Sequence, residues 1–477
     1  MKHDLLKQLK KYTESQWIQQ YLIESNGNIY INNKKNIGRN LYQLTEARLA
    51  EISSLLIEPK KLKIFIVETE PIKFLAAFLA GVIAEVDIFL CDPAWQQQEW
   101  QQVLSLVSPD LIFSDRHTHD LIVQVTAKVQ NLAAQKSDFP KQPLIMIPTG
   151  GTSGKVRFAM HTWSTLTASV NAFQNYFNCQ EINSFCTLPL YHVSGLMQFM
   201  RSFITQGKLL IFPYKAVKTQ PIAVINQSEY FISLVATQLQ FLIESIPDWL
   251  NQFKTVLLGG APTRRSLLEQ ARIYNIPVAL TYGMTETASG IVILKPEDFL
   301  AGNNSSGQVL PHAQVTIEPE NNQSFNNIGL VKINCASLCL GYYPQVFTQE
   351  FITDDLGYFD SNNYLYLVGR NSQKIITGGE NVFPAEIEAV ILATKLVKDV
   401  CVIGIQDHQW GEVVTAMYIP VNLDHDLKII KQQVQSQLAK YKQPKNWIAV
   451  DSLFRNDRGK INYKKIKAIA ESTINQQ

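Results

Sequence analysis

From Leu62 onward the chain alternates short apolar runs with amphipathic stretches, and this limits the fold more than any other feature. Leu62–Val67, Asp87–Cys91 and Asp110–Phe113 read as strands, with helices expected at Phe74–Ile83, Gln97–Leu106 and His119–Leu132. Parallel strands need a long crossover, which a helix supplies, so the pattern predicts a doubly wound parallel α/β sheet. It resumes with strands at Ser184–Leu188, Leu209–Phe212, Phe231–Val235, Thr255–Leu258 and Val278–Thr281. The helices expected there are Leu166–Phe177, Gly195–Thr205, Gln238–Ile246 and Arg264–Ile273. Near residue 300 the text changes to short strands with Asn/Gly turns, at Ala313–Ile317, Gly329–Asn334 and Tyr364–Val368, which predict a small β-barrel. Past Arg370 it becomes α+β, with helices at Pro384–Ala393 and Leu427–Leu438 and strands at Val400–Ile405 and Val414–Ile419. A chain of 477 residues exceeds one ordinary core. The expectation is a large N-terminal domain over 1–370 and a small mobile C-terminal domain over 371–477. Residues 1–60 read as helical patterns and polar loops.

Several function classes fall away. With 43 basic and 41 acidic residues and no dense basic tract, nucleic acid is not an expected partner. The six cysteines are scattered without CxxC spacing, as in a reduced, cytoplasmic protein. The charged start, MKHDLLKQLKKYTES, has no apolar core of a signal peptide. Glu85 and Asp87 interrupt the most lipophilic stretch, Phe74–Cys91, which reads as a buried helix and strand rather than a membrane span.

Open α/β sheets bind ligands in loops beyond the strand C-termini. One such loop, Thr149-Gly150-Gly151-Thr152-Ser153-Gly154, is followed by Lys155 and Arg157. Glycines bring backbone N–H groups close to an anion, and the hydroxyls and cations add donors suited to a polyphosphate. It is not a P-loop, because Thr149 stands at the first glycine and Val156 where a Ser or Thr should follow the lysine. Gly259-Gly260-Ala261-Pro262 reads equally as a ring-binding surface or a tight turn. In Tyr282-Gly283-Met284-Thr285-Glu286-Thr287, Tyr282 suits a base and Glu286 offers magnesium a hard oxygen. Asp355 suits ribose hydroxyls, Arg370 phosphate oxygens, and Lys460 a developing negative charge. Gly378-Gly379 suggests an unusual φ or a close backbone approach. Taken singly, each also reads as ordinary loop chemistry.

Together, and in this order, these motifs resemble the adenylate-forming superfamily of acyl-CoA synthetases, adenylation domains and luciferases, over roughly residues 60–465. The resemblance implies ATP, magnesium and CoA as cofactor and co-substrates. It assigns Thr149, Gly150, Gly151, Thr152, Ser153 and Gly154 to the β- and γ-phosphates. Gly260, Ala261, Tyr282 and Gly283 fall to the adenine pocket. Thr285 and Glu286 contact the α-phosphate and magnesium, Asp355 and Arg370 the ribose end. Lys460 assists adenylation, Ser372 is the hinge, and Gly378 and Gly379 line the pantetheine tunnel. The implied reaction joins a small carboxylic acid to AMP and then to CoA. A homodimer is left open.

Three positions depart from the family pattern. Gly-x-Pro-Lys is here Gly154-Lys155-Val156-Arg157, Thr-Gly-Asp is Thr353-Asp354-Asp355, and the usual hinge Asp or Lys is Ser372. For the acid, Tyr191-His192-Val193-Ser194-Gly195 followed by Arg201 resembles the o-succinylbenzoate–CoA ligases of menaquinone or phylloquinone synthesis. His192 and Ser194 are expected at the acyl pocket, His192 also in a catalytic role. A cation at Arg201 would hold the carboxylate that is not activated. The alternatives are another aryl- or acyl-CoA ligase, a module loading a carrier protein, and a non-catalytic AMP-binding regulator.

Overall fold

A computed structural model describes residues 2–14, 18–23, 29–31, 37–56, 61–126, 140–150, 155–217, 226–319, 327–347, 350–422, 427–455 and 461–474. Two large sheets form its frame. In the first, strands Leu111–Ser114, Lys63–Val67, Asp87–Leu90 and Ile145–Gly150 run parallel, and Val156–His161 returns antiparallel beside the last. In the second, Asn183–Cys186, Leu209–Ile211, Tyr230–Leu234, Thr255–Leu258 and Val278–Met284 are parallel neighbours, with antiparallel strands toward the edges. The expected α/β architecture is therefore present.

Helices Ile37–Leu55, Pro71–Ala84, Trp163–Phe177 and Val193–Thr205 contribute to one apolar core that also takes side chains from both sheets. The helix Pro71–Ala84 shows why. Glu70 caps it by accepting from the Ile72 and Lys73 amides, Pro71 opens its first turn, and Glu85 ends it in the left-handed region. Between these caps Phe74 to Ile83 are all buried, so the helix suits a wholly interior place. Val193–Thr205 is similarly buried from Gly195 to Phe203, which carries its polar residues into the interior too.

Two expectations needed correction. The first sixty residues contain strands as well as helices, because Ile18–Ile23 adds parallel to Leu209–Ile211 and Ile29–Ile31 pairs with it in turn. The expected barrel is a four-stranded antiparallel sheet, Ala313–Pro319, Gly329–Cys335, Phe351–Phe359 and Leu365–Arg370, whose outer strands are not paired with each other. Four strands are too few to curl into a closed cylinder around side chains. The nearby strands Gly341–Tyr342 and Gln345–Val346 join the first large sheet instead.

After the turn Asn371–Gln373, the chain builds a further sheet from Ile375–Thr377, Glu380–Val382, Val397–Asp407, Gly411–Pro420 and Asn446–Ala449. Two apolar clusters flank it, and both draw only on residues from Ile375 onward. Among the described residues no helix is long and apolar enough to cross a membrane.

Candidate active site

Thr149, Gly260, Tyr282 and Gly283 lie at or near the C-terminal ends of strands of the two large sheets, whereas Asp355 and Arg370 lie on the four-stranded sheet. Thr149 and Gly150 end the strand Ile145–Gly150, opposite Arg157 and Val156. These two strands are the antiparallel arms on either side of residues 151–154. The Arg157 guanidinium lies over the Tyr342 ring, 5.4 Å from its centroid. Gly151, Thr152, Ser153, Gly154 and Lys460 lie outside the described residues.

Tyr282, Asp355 and Arg370 form one cluster. The Tyr282 hydroxyl donates to Asp355 Oδ2 at 3.0 Å, and Arg370 Nε stands 3.3 Å from Oδ1. Asp355 and Arg370 face each other on adjacent strands, so the sheet register itself sets the pair. Burial lifts the Asp355 carboxyl above its ordinary range, although Arg370 opposes this. Gly260 follows the strand Thr255–Leu258 with φ of +87°, and Ala261 continues that loop. Gly283 has no room for a side chain, since a Cβ there would lie 2.0 Å from the Ser289 carbonyl oxygen.

Thr285 and Glu286 sit in the 3₁₀ turn Thr285–Thr287. The Glu286 side chain is buried and accepts a hydrogen bond from the Tyr342 hydroxyl. Its own carbonyl accepts from the Cys339 amide at 2.7 Å. The turn is also held by His161, whose Nε2 is 2.7 Å from the Thr285 carbonyl. A carbonyl only accepts, so Nε2 carries the proton. Burial pushes the His161 pKa down to about 4, so the ring is neutral. Nδ1 therefore accepts from the Thr165 hydroxyl at 3.0 Å. His161 closes the strand that returns from the phosphate loop, and its ring braces that hairpin against the Thr285 turn.

Magnesium usually takes one or two protein carboxylates plus phosphate oxygens. Glu286 fits that demand as a buried hard-oxygen donor whose carboxylate is oriented by Tyr342. Among the described residues no group of three or more His, Cys, Asp or Glu side chains forms a metal cage.

The helix Val193–Thr205 carries the remaining candidates. His192 occupies its N-cap, with the Asp92 carboxylate 3.9 Å from Nε2 and the Tyr191 ring packed edge-on at 4.5 Å. Ser194 lies in the first turn and is exposed. Arg201 is different in kind. It is 5% exposed, its Nη2 donates to Ser289 Oγ at 2.9 Å, and its guanidinium lies 4.1 Å from the Phe173 ring centroid. Its Nε has no hydrogen-bond partner, and among the described residues no carboxylate pairs with it. Burial alone pushes its pKa down to about 10. Ser289, at φ of +103°, is held in a region that L-residues rarely adopt.

In the C-terminal sheet, Gly378 and Gly379 have φ of +60° and +84° and form the tip of the hairpin Ile375–Val382. The unusual backbone inferred from sequence is real. Ser372 lies in the turn Asn371–Gln373, and its amide donates to Asp354 Oδ1 at 2.9 Å.

His161 and Tyr342 were not singled out from the sequence. His161 is 124 residues from Thr285 and Tyr342 is 56 from Glu286, and neither sits in a glycine-rich loop. Only a strand register could have paired them.

Comparison with known proteins agrees with this geometry. Residues 42–343 match the AMP-binding enzyme family, and residues 386–460 match the AMP-binding enzyme C-terminal domain. The 2-succinylbenzoate–CoA ligase of Geobacillus sp. (strain WCH70) is 31% identical over 404 residues, covering 80% of this chain and 81% of its own. That of Oceanobacillus iheyensis is 34% identical over 333 residues, covering 66% and 68%. The o-succinylbenzoate CoA synthetase of Bacillus subtilis, solved with its acyl-adenylate intermediate, shares the fold: TM-score 0.79, 23% identity, 97% of each chain. Family matches over both segments, with relatives above 30% identity along most of their length, lead to one conclusion: the chain belongs to the AMP-binding enzyme family.

Proposed function

We propose that this protein is an AMP-forming acid–CoA ligase whose acid is o-succinylbenzoate. The observation that carries the substrate is Arg201: a desolvated guanidinium with a serine, an aromatic face and, among the described residues, no carboxylate. A buried cation is costly unless paired, and a dicarboxylic substrate supplies the missing anion once one carboxylate is committed to reaction. Benzoate and simple fatty acids have no second carboxylate to offer. The named relatives act on the same acid.

In the first half-reaction a carboxylate oxygen of the acid attacks the α-phosphorus of ATP, and the bond to pyrophosphate breaks. The amides and hydroxyls of residues 149–154 would hold the β- and γ-phosphates, with Arg157 adding positive charge. Glu286, oriented by Tyr342, would hold magnesium, which supplies charge neutralisation at the phosphates. Asp355 accepts from the ribose hydroxyls, with Tyr282 and Arg370 fixing its carboxylate. Lys460 contributes positive charge where negative charge develops on the leaving oxygens. Most of the rate gain is positioning and electrostatics. His192 and Ser194 border the acyl group and Arg201 anchors its far end.

In the second half-reaction the CoA thiolate forms a bond to the acyl carbon, and the bond to the AMP oxygen breaks. Residues 371–477 act as a mobile domain hinged at Ser372, withdrawing Lys460 and bringing Gly378 and Gly379 to the pantetheine path. The test is thioester formation by the purified protein with ATP, magnesium and CoA, comparing o-succinylbenzoate, benzoate and octanoate. Strong CoA-dependent preference for o-succinylbenzoate is expected. Preference for either other acid would overturn the substrate, and pyrophosphate release without thioester would point to carrier loading.

A further inference from the structure

Two of the three departures from the family pattern touch each other. Asp354 replaces a glycine and Ser372 replaces a charged hinge residue. The Ser372 amide donates to Asp354 Oδ1 at 2.9 Å and its hydroxyl donates to Oδ2. Successive residues of a strand face opposite ways. Asp355 therefore points to Tyr282 and Arg370, while Asp354 points to the turn that leads into the C-terminal sheet. A glycine at 354 could not make this clasp, and a lysine or aspartate at 372 would make a different one.

A second tie crosses between the same two parts of the chain. Arg264, just after the Gly259–Pro262 loop, forms an ion pair with Asp399 at the start of the long strand Val397–Asp407. Its Nη1 also donates to the Lys398 carbonyl at 3.2 Å. Asp399 is aimed by its own sheet, because Arg455 grips both its oxygens, Nε to Oδ2 at 2.8 Å and Nη2 to Oδ1 at 3.0 Å. Glu388, half-buried, accepts from the Val402 amide at 2.8 Å.

These ties coincide with one arrangement of the C-terminal part. Arg455, just before residues 456–460, shares Asp399 with Arg264. The described chain that ends at Arg455 thus reaches the residues just after the Gly259–Pro262 loop through the shared Asp399. In the hairpin Ile375–Val382, Ile376 and Asn381 line a cleft with Glu318, Leu330 and Ile352 of the four-stranded sheet.

We propose that Asp354 and Asp399 are positioning residues for adenylation, a clasp on Ser372 and a latch to Arg264 that hold the C-terminal part in its Lys460-presenting arrangement. The proposal rests on the two-step reading above. Rotation about Ser372 turns its amide away from Asp354 and separates Arg264 from Asp399, so both ties break before acyl transfer.

The test separates the half-reactions in Asp354→Gly, Arg264→Ala and the double variant. ATP–pyrophosphate exchange with o-succinylbenzoate is expected to fall about fivefold in each single variant, the scale of a partly exposed ion pair. It should fall further in the double variant and recover in Arg264→Lys. Single-turnover transfer from bound acyl-adenylate to CoA should hold or quicken. Parallel loss in both half-reactions, or loss in neither, would overturn the proposal. Amide hydrogen exchange over residues 371–374, read on the same proteins without substrate, should quicken in both single variants. Faster amide exchange with no acid activated would sink the activity reading and leave the ties standing; unchanged exchange would sink the ties.

Discussion

The proposed nucleotide end and the proposed acyl end of this site are built on opposite principles. At the nucleotide end the charged and polar groups are already paired: Asp355 with Tyr282 and Arg370, Glu286 with Tyr342, the Thr285 carbonyl with His161. At the acyl end Arg201 is buried with a serine and a ring, and its Nε has no partner. The contrast fits what each end is proposed to recognise. A nucleotide presents many weak handles, which a rigid, preorganised surface meets without rearranging. A single distal carboxylate is a strong, sparse handle, and a cation kept short of partners discriminates for it because any acid without it leaves the cation stranded.

Removing the cation gives the largest expected effect. Arg201→Ala should lower kcat/KM for o-succinylbenzoate on the order of a hundredfold, the scale for losing one partner of a buried charge pair. Benzoate activation should barely move, because benzoate never used the group. The same variant should melt no lower than the wild type, since an uncompensated buried cation does not stabilise the fold. Equal losses for both acids would break the contrast, making Arg201 a packing residue.

At the paired end the expected effect is smaller and divides differently. Asp355→Asn should raise KM for ATP on the order of tenfold, as expected for losing hydrogen bonds to a charged group. Stability should not suffer. Burial raises the folded pKa of Asp355, so its ionised form is the disfavoured one, and any stability it contributes is present at low pH and lost as pH rises through that value. At neutral pH the amide should therefore hold or raise Tm, measured by calorimetry. A falling Tm with unchanged KM would mean that Asp355 serves the sheet rather than the nucleotide.

Most of the frame was legible because alternation of apolar runs and amphipathic helices follows from chain geometry. The strand Thr255–Leu258 and the helix Pro384–Ala393 were read to the residue. Tyr282, Asp355 and Arg370 were singled out in the sequence, and the structure brings them into one cluster. What was hidden depends on register between distant strands. Ile18–Ile23 pairs far from its neighbours in sequence, so its strand character comes from a sheet edge and not from local pattern. Tyr342 and His161 become site residues only through partners in other elements. Asp354 and Ser372 were each noticed as departures, but nothing in their spacing says that they bond.

The smallest effect sharpens the account of the paired end as a preset frame. His161 is wholly buried and its folded pKa is lowered to about 4 from an ordinary 6.5. A base with a depressed folded pKa stabilises the fold above its unfolded value, and that contribution is lost as pH falls from 6.5 toward 4. The loss reaches roughly 3 kcal/mol across the window at 1.36 kcal/mol per unit. The substitution His161→Gln keeps an N–H for the Thr285 carbonyl but removes the titrating ring. The variant should therefore start less stable at pH 8, having lost the ring's packing, yet show a flatter decline in Tm between pH 6.5 and 4. The magnesium concentration needed for half-maximal pyrophosphate exchange should rise only severalfold, because Tyr342 still orients Glu286. Parallel Tm curves for the two proteins would remove His161 from the acid response. An unchanged magnesium requirement would show that the Thr285 turn keeps its shape without the ring, leaving Tyr342 and the Cys339 amide as its supports.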